Sequence, residues 1–141
     1  MSEQRAEQRS EQPSQQPVVD RFLEAVRLAG IEGCADVWSP DCTLDATVPN
    51  WRFHRTGPDR IRETYRAWFA DPGAFEELRR SPVDGGEVVA YLLTWTEDGV
   101  PHAAHHVHWL DVVDDRIVAD VVVCGGRWPA GLLAEMEAAD A

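Results

Sequence analysis

The second half of the sequence constrains the fold most, because long β-type segments there are separated by very short turns. Three such segments follow one another: EVVAYLLTWT (87–96), HAAHHVHWLDVV (102–113) and RIVADVVVC (116–124). Glu97-Asp98-Gly99 and Asp114-Asp115 between them are typical of hairpin turns, whereas Gly125-Gly126 is expected to end the third segment. Strands joined by such turns pair antiparallel, so this half predicts an antiparallel meander.

The first half carries helical patterns instead. Between Pro17, which suits the first position of a helix, and the terminator Gly30, four apolar residues recur at helical spacing: Val18, Phe22, Val26 and Ala29. Further along we expect a short helix (31–37), a strand (43–48), a helix within 55–73 and a last helix over 130–139. Helices followed by a meander predict an α+β domain. Its curved antiparallel sheet is expected to wrap around the N-terminal helices and enclose a cone-shaped pocket.

Polarity divides the chain after residue 16. Residues 1–16, MSEQRAEQRSEQPSQQ, are almost free of apolar side chains and bury too little surface to offset the entropy of ordering. We therefore expect a disordered tail over 1–16 and a single folded domain over 17–141. With 141 residues, 44% of them hydrophobic, the chain is long enough for one core and a ligand cavity.

Charge and residue usage exclude several classes of function. The formal net charge of −12 argues against nucleic-acid and anionic-membrane partners, since both select clustered positive charge. All thirteen basic residues are arginine, which excludes a lysine Schiff base and a Walker-type lysine. Cys34, Cys42 and Cys124 lack paired metal-type spacing, so we expect reduced thiols in a cytoplasmic protein.

Four of the five histidines lie in HAAHHVH (102–108), and strand alternation divides them between two faces. His106, His108 and Leu110 share one face, and His105 lies on the other. His102 lies further along the same face, so at most three of the four can converge in one pocket, but we expect it to be solvated because it follows Pro101 at the start of the strand. His106 and His108 remain as the candidates. The alternative is that both are hydrogen-bonded structural histidines.

Asp120 is the one charge inside the third β segment, where it shares a face with Val122 and Cys124. A buried aspartate must be hydrogen-bonded, paired or protonated. The sequence thus indicates a functional carboxylate, with a structural salt bridge to Arg116 or Arg127 as the alternative.

A metal site is a further alternative. His106 and His108 present two imidazoles on one face, and Asp120 would add a carboxylate. Two histidines and one carboxylate are a ligand set for zinc or non-haem iron.

Three passages carry a family resemblance that runs from about Val18 to Cys124. They are WSPDCTLD (38–45), HRTGPDRIRETY (54–65) and VHWLDVVDDRIVAD (107–120). Together with the first helix they resemble the nuclear-transport-factor-2-like (NTF2-like) superfamily, most closely its SnoaL-like branch of polyketide-cyclase and isomerase-type proteins. The resemblance implies a cone-shaped α+β barrel. It leaves activity open, because that superfamily holds isomerases, dehydratases, epoxide hydrolases, cyclases and plain binding proteins.

The same resemblance implies a polar, pocket-facing side chain at His108 and places Asp120 on a strand that supplies acid–base residues. We take His108 and Asp120 as the candidate catalytic pair, because a carboxylate orients an imidazole and raises its pKa towards neutrality. His106 or Asp45 is expected to assist. At Val122 the cyclases often have an acidic residue, which argues against direct transfer of their mechanism.

The expected function is that of a cofactor-independent acid–base enzyme acting on a small hydrophobic organic molecule, by cyclisation, isomerisation or dehydration. A non-catalytic binding or accessory protein of the same fold is the alternative, and a homodimer is expected in either case. The predicted lining of the hydrophobic pocket is mainly aromatic and comprises Trp51, Phe53, Tyr65, Trp68, Leu110 and Val122.

Overall fold

The computed structural model describes residues 14–141, which form three helices and six strands. Helix α1 (Pro17–Leu28) leads through two short 3₁₀ turns, Ile31–Gly33 and Ala35–Val37, into β1 (Trp38–Val48) and β2 (Trp51–Thr56). Helix α2 (Pro58–Trp68) is followed by β3 (Gly73–Val83), β4 (Gly86–Glu97), β5 (Val100–Val113), β6 (Arg116–Pro129) and α3 (Ala130–Asp140). Of the predicted tail, residues 1–13 lie outside the described part. No helix in the described range is long and apolar enough to cross a bilayer.

The strands form one sheet in the order β2-β1-β6-β5-β4-β3. Neighbouring strands are antiparallel except β1 and β6, which run parallel and make the sheet mixed. The predicted α+β class, with a curved sheet around N-terminal helices, is confirmed. The parallel pair arises because β1 and β6 are far apart in sequence, and no tight turn dictates their relative direction.

Three details differ from the sequence prediction. Trp51 and Phe53 lie on β2, a strand that the sequence did not predict. The unpredicted strand β3 is charged and contains Pro82, as is common for an edge strand. Strand β6 continues through Gly125-Gly126, where two residues face one on β5. This β-bulge needs glycine at position 126, whose φ is +112°.

Helices α1 and α2 close the concave face of the sheet. Phe22 of α1 and Ile61 and Tyr65 of α2 are fully buried against the inner sheet residues. Trp38 extends this aromatic core, with its ring centre 6.0 Å from that of Phe22. Burying side chains of this size contributes the dominant favourable free energy of folding. The polar groups on this face of the sheet are therefore removed from water.

The N-terminus of α1 is fixed to the sheet by two acidic side chains. The Val18 N–H donates to Asp115 Oδ1 (2.9 Å), and the Gln16 N–H donates to Glu87 Oε1 (2.8 Å). Glu87 is fully buried and pairs with Arg80 at 2.5 Å. Carboxylates at this end satisfy free helix N–H groups and complement the helix dipole.

Candidate active site

The histidine strand β5 turns His106 and His108 towards the helices and His105 towards solvent. Pairing with β6 places His106 opposite Cys124 and His108 opposite Val122. Pairing with β4 places Tyr91 opposite His106. Because paired residues share a face, this register gathers the polar side chains of three strands under α1 and α2.

Six side chains form one continuous hydrogen-bonded series, called here the buried network: Tyr65, Asp120, His108, Tyr91, His106 and Cys124. Tyr65 Oη donates to Asp120 Oδ2 (2.5 Å), and Asp120 Oδ1 lies 3.0 Å from His108 Nδ1. Tyr91 Oη lies 2.9 Å from both His108 Nε2 and His106 Nδ1. His106 Nε2 then lies 3.1 Å from Cys124 Sγ.

For an ionised Asp120 and a neutral His108, the direction of every bond in the buried network is determined. An ionised Asp120 only accepts hydrogen bonds, so His108 donates its Nδ1–H to it and keeps a bare Nε2. Tyr91 must then donate to that Nε2 and accept from His106 Nδ1–H. His106 is left with a bare Nε2, which accepts from the Cys124 thiol.

Burial favours the uncharged form of four members of the network: His106, Tyr65, Tyr91 and Cys124. Burial lowers the pKa of His106 to about 3, with positive charge on His108 and His105 as smaller causes. The pKa of Tyr65 is well above its ordinary value because of burial, and the Asp120 charge adds to this. Burial also raises the pKa of Tyr91 well above its ordinary value and raises the pKa of the Cys124 thiol.

The far end of the network opens into a cavity of about 260 Å³. Its polar side chains are His106, Cys124 and Arg127. The apolar part of the lining includes Val48, Trp68, Phe69, Leu93, Trp95 and Ala104. An apolar cavity with a few convergent polar groups is the usual form of a small-molecule site.

The sequence matches the SnoaL-like domain family over residues 19–120. The chain belongs to the SnoaL-like domain family. A comparison with curated protein sequences finds no match. An NTF2-like protein from Anabaena variabilis aligns with a TM-score of 0.65 at 16% identity, over 77% of this chain and 84% of that one.

Two further structures resemble this SnoaL-like domain. One, from Bacillus subtilis, is described as a candidate isomerase (TM-score 0.61, 12% identity, 77% of this chain and 84% of that chain). The other, from Xanthomonas campestris, is described as a candidate polyketide cyclase (TM-score 0.58, 13% identity, 75% of this chain and 86% of that chain). At this identity the likeness shows the fold alone.

The SnoaL-like domain brings together His108, Asp120 and His106, but the two histidines differ from expectation in which one lines the cavity. His108 contacts the carboxylate, yet it is fully buried, and His106 is the histidine that lines the cavity. Within residues 14–141, the partners of Asp120 are His108 and Tyr65 rather than Arg116 or Arg127.

Asp45 does not reach the buried network. It lies beside Leu44, whose side chain points inward, so its own carboxylate points to the opposite face of β1. There it pairs with Arg52 at 2.6 Å, and His54 Nε2 lies 3.5 Å away. The Arg52 guanidinium holds the pKa of Asp45 below its usual range. Its expected role as an assisting residue is therefore corrected to that of a surface ion-pair partner.

The expected pocket residues have different places. Trp68 lines the cavity, and half-buried Phe53 packs edge-on against it with ring centres 6.3 Å apart. Trp51 is 70% exposed on the edge strand β2, which corrects its expected place in the lining. The other three are fully buried beside or within the network and do not line the cavity: Tyr65, Leu110 and Val122.

Tyr91 and Cys124 are functional candidates that the sequence reasoning missed. Tyr91 lies on the inner face of β4 with Val89 and Leu93, so its pattern is that of a core residue. Cys124 shares a face with Asp120, but its spacing from the other cysteines predicts only a reduced thiol. The signal for both was the register of the hairpins, which places each of them opposite His106.

The ligand set considered for a metal does not converge. His106 and His108 both bond to Tyr91 Oη, and Asp120 contacts His108 on its other nitrogen, so the groups bond in series. In the part of the chain that the structure describes, no three His, Cys, Asp or Glu side chains are grouped to hold a metal.

Proposed function

We propose that this SnoaL-like domain is an acid–base enzyme that moves a proton on a small, largely apolar organic molecule in a cyclisation, isomerisation or dehydration. One observation carries the proposal: near its Cys124 end the buried network places the imidazole of His106 in the wall of an apolar cavity, where a ligand would displace the Cys124 thiol from Nε2. An unprotonated imidazole can take a proton, and its conjugate acid can return it. Because burial lowers the pKa of His106 to about 3, the imidazole is a weak base by itself and needs a partner that takes up the positive charge. Proton movement of this kind uses no cofactor.

The size and polarity of the cavity support the proposed substrate class. At about 260 Å³ it is slightly smaller than the usual ligand pocket of about 300–1,000 Å³. Its wall is mainly aliphatic and aromatic, so an apolar body is favoured over a charged one. A polar group of the ligand would contact the polar residues of the lining, which are His106, Cys124 and Arg127.

In this proposal His106 contacts the substrate, whereas His108 and Asp120 act on His106 through Tyr91. The reason is the cavity lining, which includes His106 but neither His108 nor Asp120. The pair orients Tyr91 and, through it, the ring of His106. This exchanges the two histidine roles expected from the sequence.

Ring opening of nitrobenzisoxazole, a small apolar compound that a base converts to a coloured phenolate, tests the proposal. The wild-type protein should accelerate the reaction, and His106→Ala should lose about a hundredfold, within the range of general-base catalysis. His105→Ala is the matched control, because His105 is the adjacent residue on the exposed face. Equal rates for wild type and His106→Ala would overturn the proposal.

A non-catalytic ligand-binding protein is the second candidate. It is favoured by the fact that every member of the buried network already has a hydrogen-bond partner within the protein. Trp68 and Trp95 line the cavity and provide a fluorescence signal for ligand entry. Saturable quenching by nitrobenzisoxazole without accelerated ring opening would support this candidate over the enzyme.

We also propose that two copies associate through the outer face of β5 and β6, in the cytoplasm. Four exposed apolar residues adjoin there in register: Val107 opposite Val123, and Trp109 opposite Val121. A contiguous apolar patch of this kind is typical of an interaction surface. Sedimentation velocity should give a dimer for wild type and a monomer for Trp109→Glu; a monomeric wild type would contradict the proposal.

A further inference from the structure

We infer that Tyr91 passes protons between His106 and His108, so that a proton taken from the ligand comes to rest on His108 beside Asp120. The inference rests on the proposed function and deepens it. Tyr91 is thus a positioning residue, and the positive charge that forms when the ligand loses its proton lies on His108. The substrate class then narrows to uncharged molecules with a weakly acidic C–H or O–H bond.

The position of Tyr91 supports this role. Its hydroxyl oxygen is 2.9 Å from one nitrogen of each histidine, and the side chain is fully buried. Its ring stacks on His108 (ring centres 5.5 Å apart, interplanar angle 24°) and meets His106 edge-on at 5.3 Å. Phe75 packs against it at 5.0 Å. These contacts hold the hydroxyl between the two histidines.

The two histidines differ in their capacity to hold a positive charge. His106 contacts Tyr91 and Cys124, neither of which is an anion in the resting network, and burial lowers its pKa to about 3. A cation that remained on His106 would therefore be buried without a compensating charge.

His108 has the compensating charge that His106 lacks. The titratable groups that face it are Asp120 from β6, Tyr91 from β4, Tyr65 from α2 and His106 from its own strand. Helix α1 contributes the uncharged ring of Phe22 at 5.3 Å. The Asp120 carboxylate, 3.0 Å away, makes His108 the favoured place for an imidazolium.

The step conserves every proton. The ligand X–H group displaces the Cys124 S–H from His106 Nε2, the X–H bond breaks as an N–H bond forms there, and the electron pair stays on the ligand. The Nδ1–H proton of His106 passes to Tyr91 Oη, and the hydroxyl proton of Tyr91 passes to His108 Nε2. His106 and Tyr91 end neutral, His108 is an imidazolium against Asp120, and the reverse sequence returns the proton to the ligand.

The resting arrangement makes a definite prediction for nitrogen NMR of the full-length protein with ¹⁵N-labelled histidine. Both His106 and His108 should be neutral, protonated at Nδ1 and bare at Nε2. In Tyr91→Phe, His106 loses the acceptor for its Nδ1–H and should switch to the Nε2–H form, donating to Cys124 Sγ. His108 should keep its Nδ1–H, because Asp120 still accepts it.

Tyr65→Phe is the matched control, since it also removes one buried tyrosine hydroxyl but leaves the connection between the histidines intact. His106 should keep its Nδ1–H form in this variant. An Nε2–H form of His106 in the wild type, or an unchanged form in Tyr91→Phe, would overturn the inference. The wild-type spectrum alone suffices for this, even if a variant folds poorly.

Rates with nitrobenzisoxazole separate this inference from the proposed function. Tyr91→Phe should lose at least about tenfold in rate, because the proton no longer reaches His108. Acceleration by wild type that Tyr91→Phe retains in full would overturn the role of Tyr91 and leave the proposed function standing. No acceleration by wild type would overturn the proposed function itself, and the role of Tyr91 with it.

Discussion

Lowering the pH from about 7 to about 5 should destabilise the wild-type protein by about 2 kcal/mol more than a His106→Asn variant. The cause is the protonation of His106 in the unfolded chain. Burial lowers the native pKa of this histidine to about 3, whereas a free histidine has a pKa near 6.5. Between those two values the unfolded chain binds one proton that the folded protein does not bind.

The sign and size follow from that difference. The state that binds more protons is favoured by acid, so the contribution of His106 is complete above about pH 6.5 and is lost as the pH falls towards 3. Each pH unit in this window is worth about 1.4 kcal/mol. Of the two pH units between pH 7 and pH 5, about one and a half lie below 6.5, where the unfolded chain is protonated at residue 106. At about 1.4 kcal/mol for each pH unit, this interval gives about 2 kcal/mol.

Urea unfolding followed by tryptophan fluorescence at a series of pH values measures the effect. The comparison concerns how the free energy of unfolding changes with pH, because His106→Asn also shifts stability by an amount that does not depend on pH. His105→Asn is the control: the same change at an exposed neighbour should keep the wild-type pH dependence. Parallel curves for wild type and His106→Asn would refute the buried, neutral state of His106.

Three further predictions concern other groups of the fold. Asp120→Asn should cost about 3 kcal/mol or more in urea unfolding, because it removes the carboxylate that orders the buried network; a loss below about 1 kcal/mol would contradict that role. Glu87→Gln should cost a similar amount, since a buried arginine ion pair loses its charge, and an unchanged Tm would contradict it. Iodoacetamide should modify Cys124 in the folded protein and reach Cys34 and Cys42 only after unfolding, because Cys124 is half-buried in the cavity wall whereas the other two are buried, with pKa values raised to about 11. Peptide mass spectrometry that finds Cys42 modified first would contradict this.

The inner and outer faces of the sheet could be predicted from the sequence, because alternation acts within a single strand. His106 and His108 fall on the buried face for that reason, and so does Asp120. Strand β3 was missed because its exposed, charged edge carries little apolar alternation. The parallel contact of β1 with β6 has no local signal, since it joins opposite ends of the described chain.

The composition of the buried network depends on register, and only part of that register is local. The turn that pairs Glu97 with Val100 fixes Tyr91 opposite His106, so this contact was available from the sequence. The sequence alone does not show which of the two histidines lines the cavity, because the packing of the helices determines where space remains beside the sheet. Phe22 and Tyr65 cover His108, whereas the space beside His106 stays open.

The bulge at Gly125-Gly126 also reverses the parity of β6. Before it, the even-numbered residues Asp120, Val122 and Cys124 share the inner face; after it, Arg127 pairs with buried Ala104 and places its guanidinium 5.2 Å from the ring centre of Trp95. A β6 shorter by one glycine would pair regularly with β5 and still place Arg127 opposite Ala104, whereas regular pairing with both glycines retained would place Gly126 there and turn Arg127 to the outer face. The bulge, and not the identity of the residues after it, thus decides whether a cation stands at the rim of the cavity, independently of the buried network beneath it.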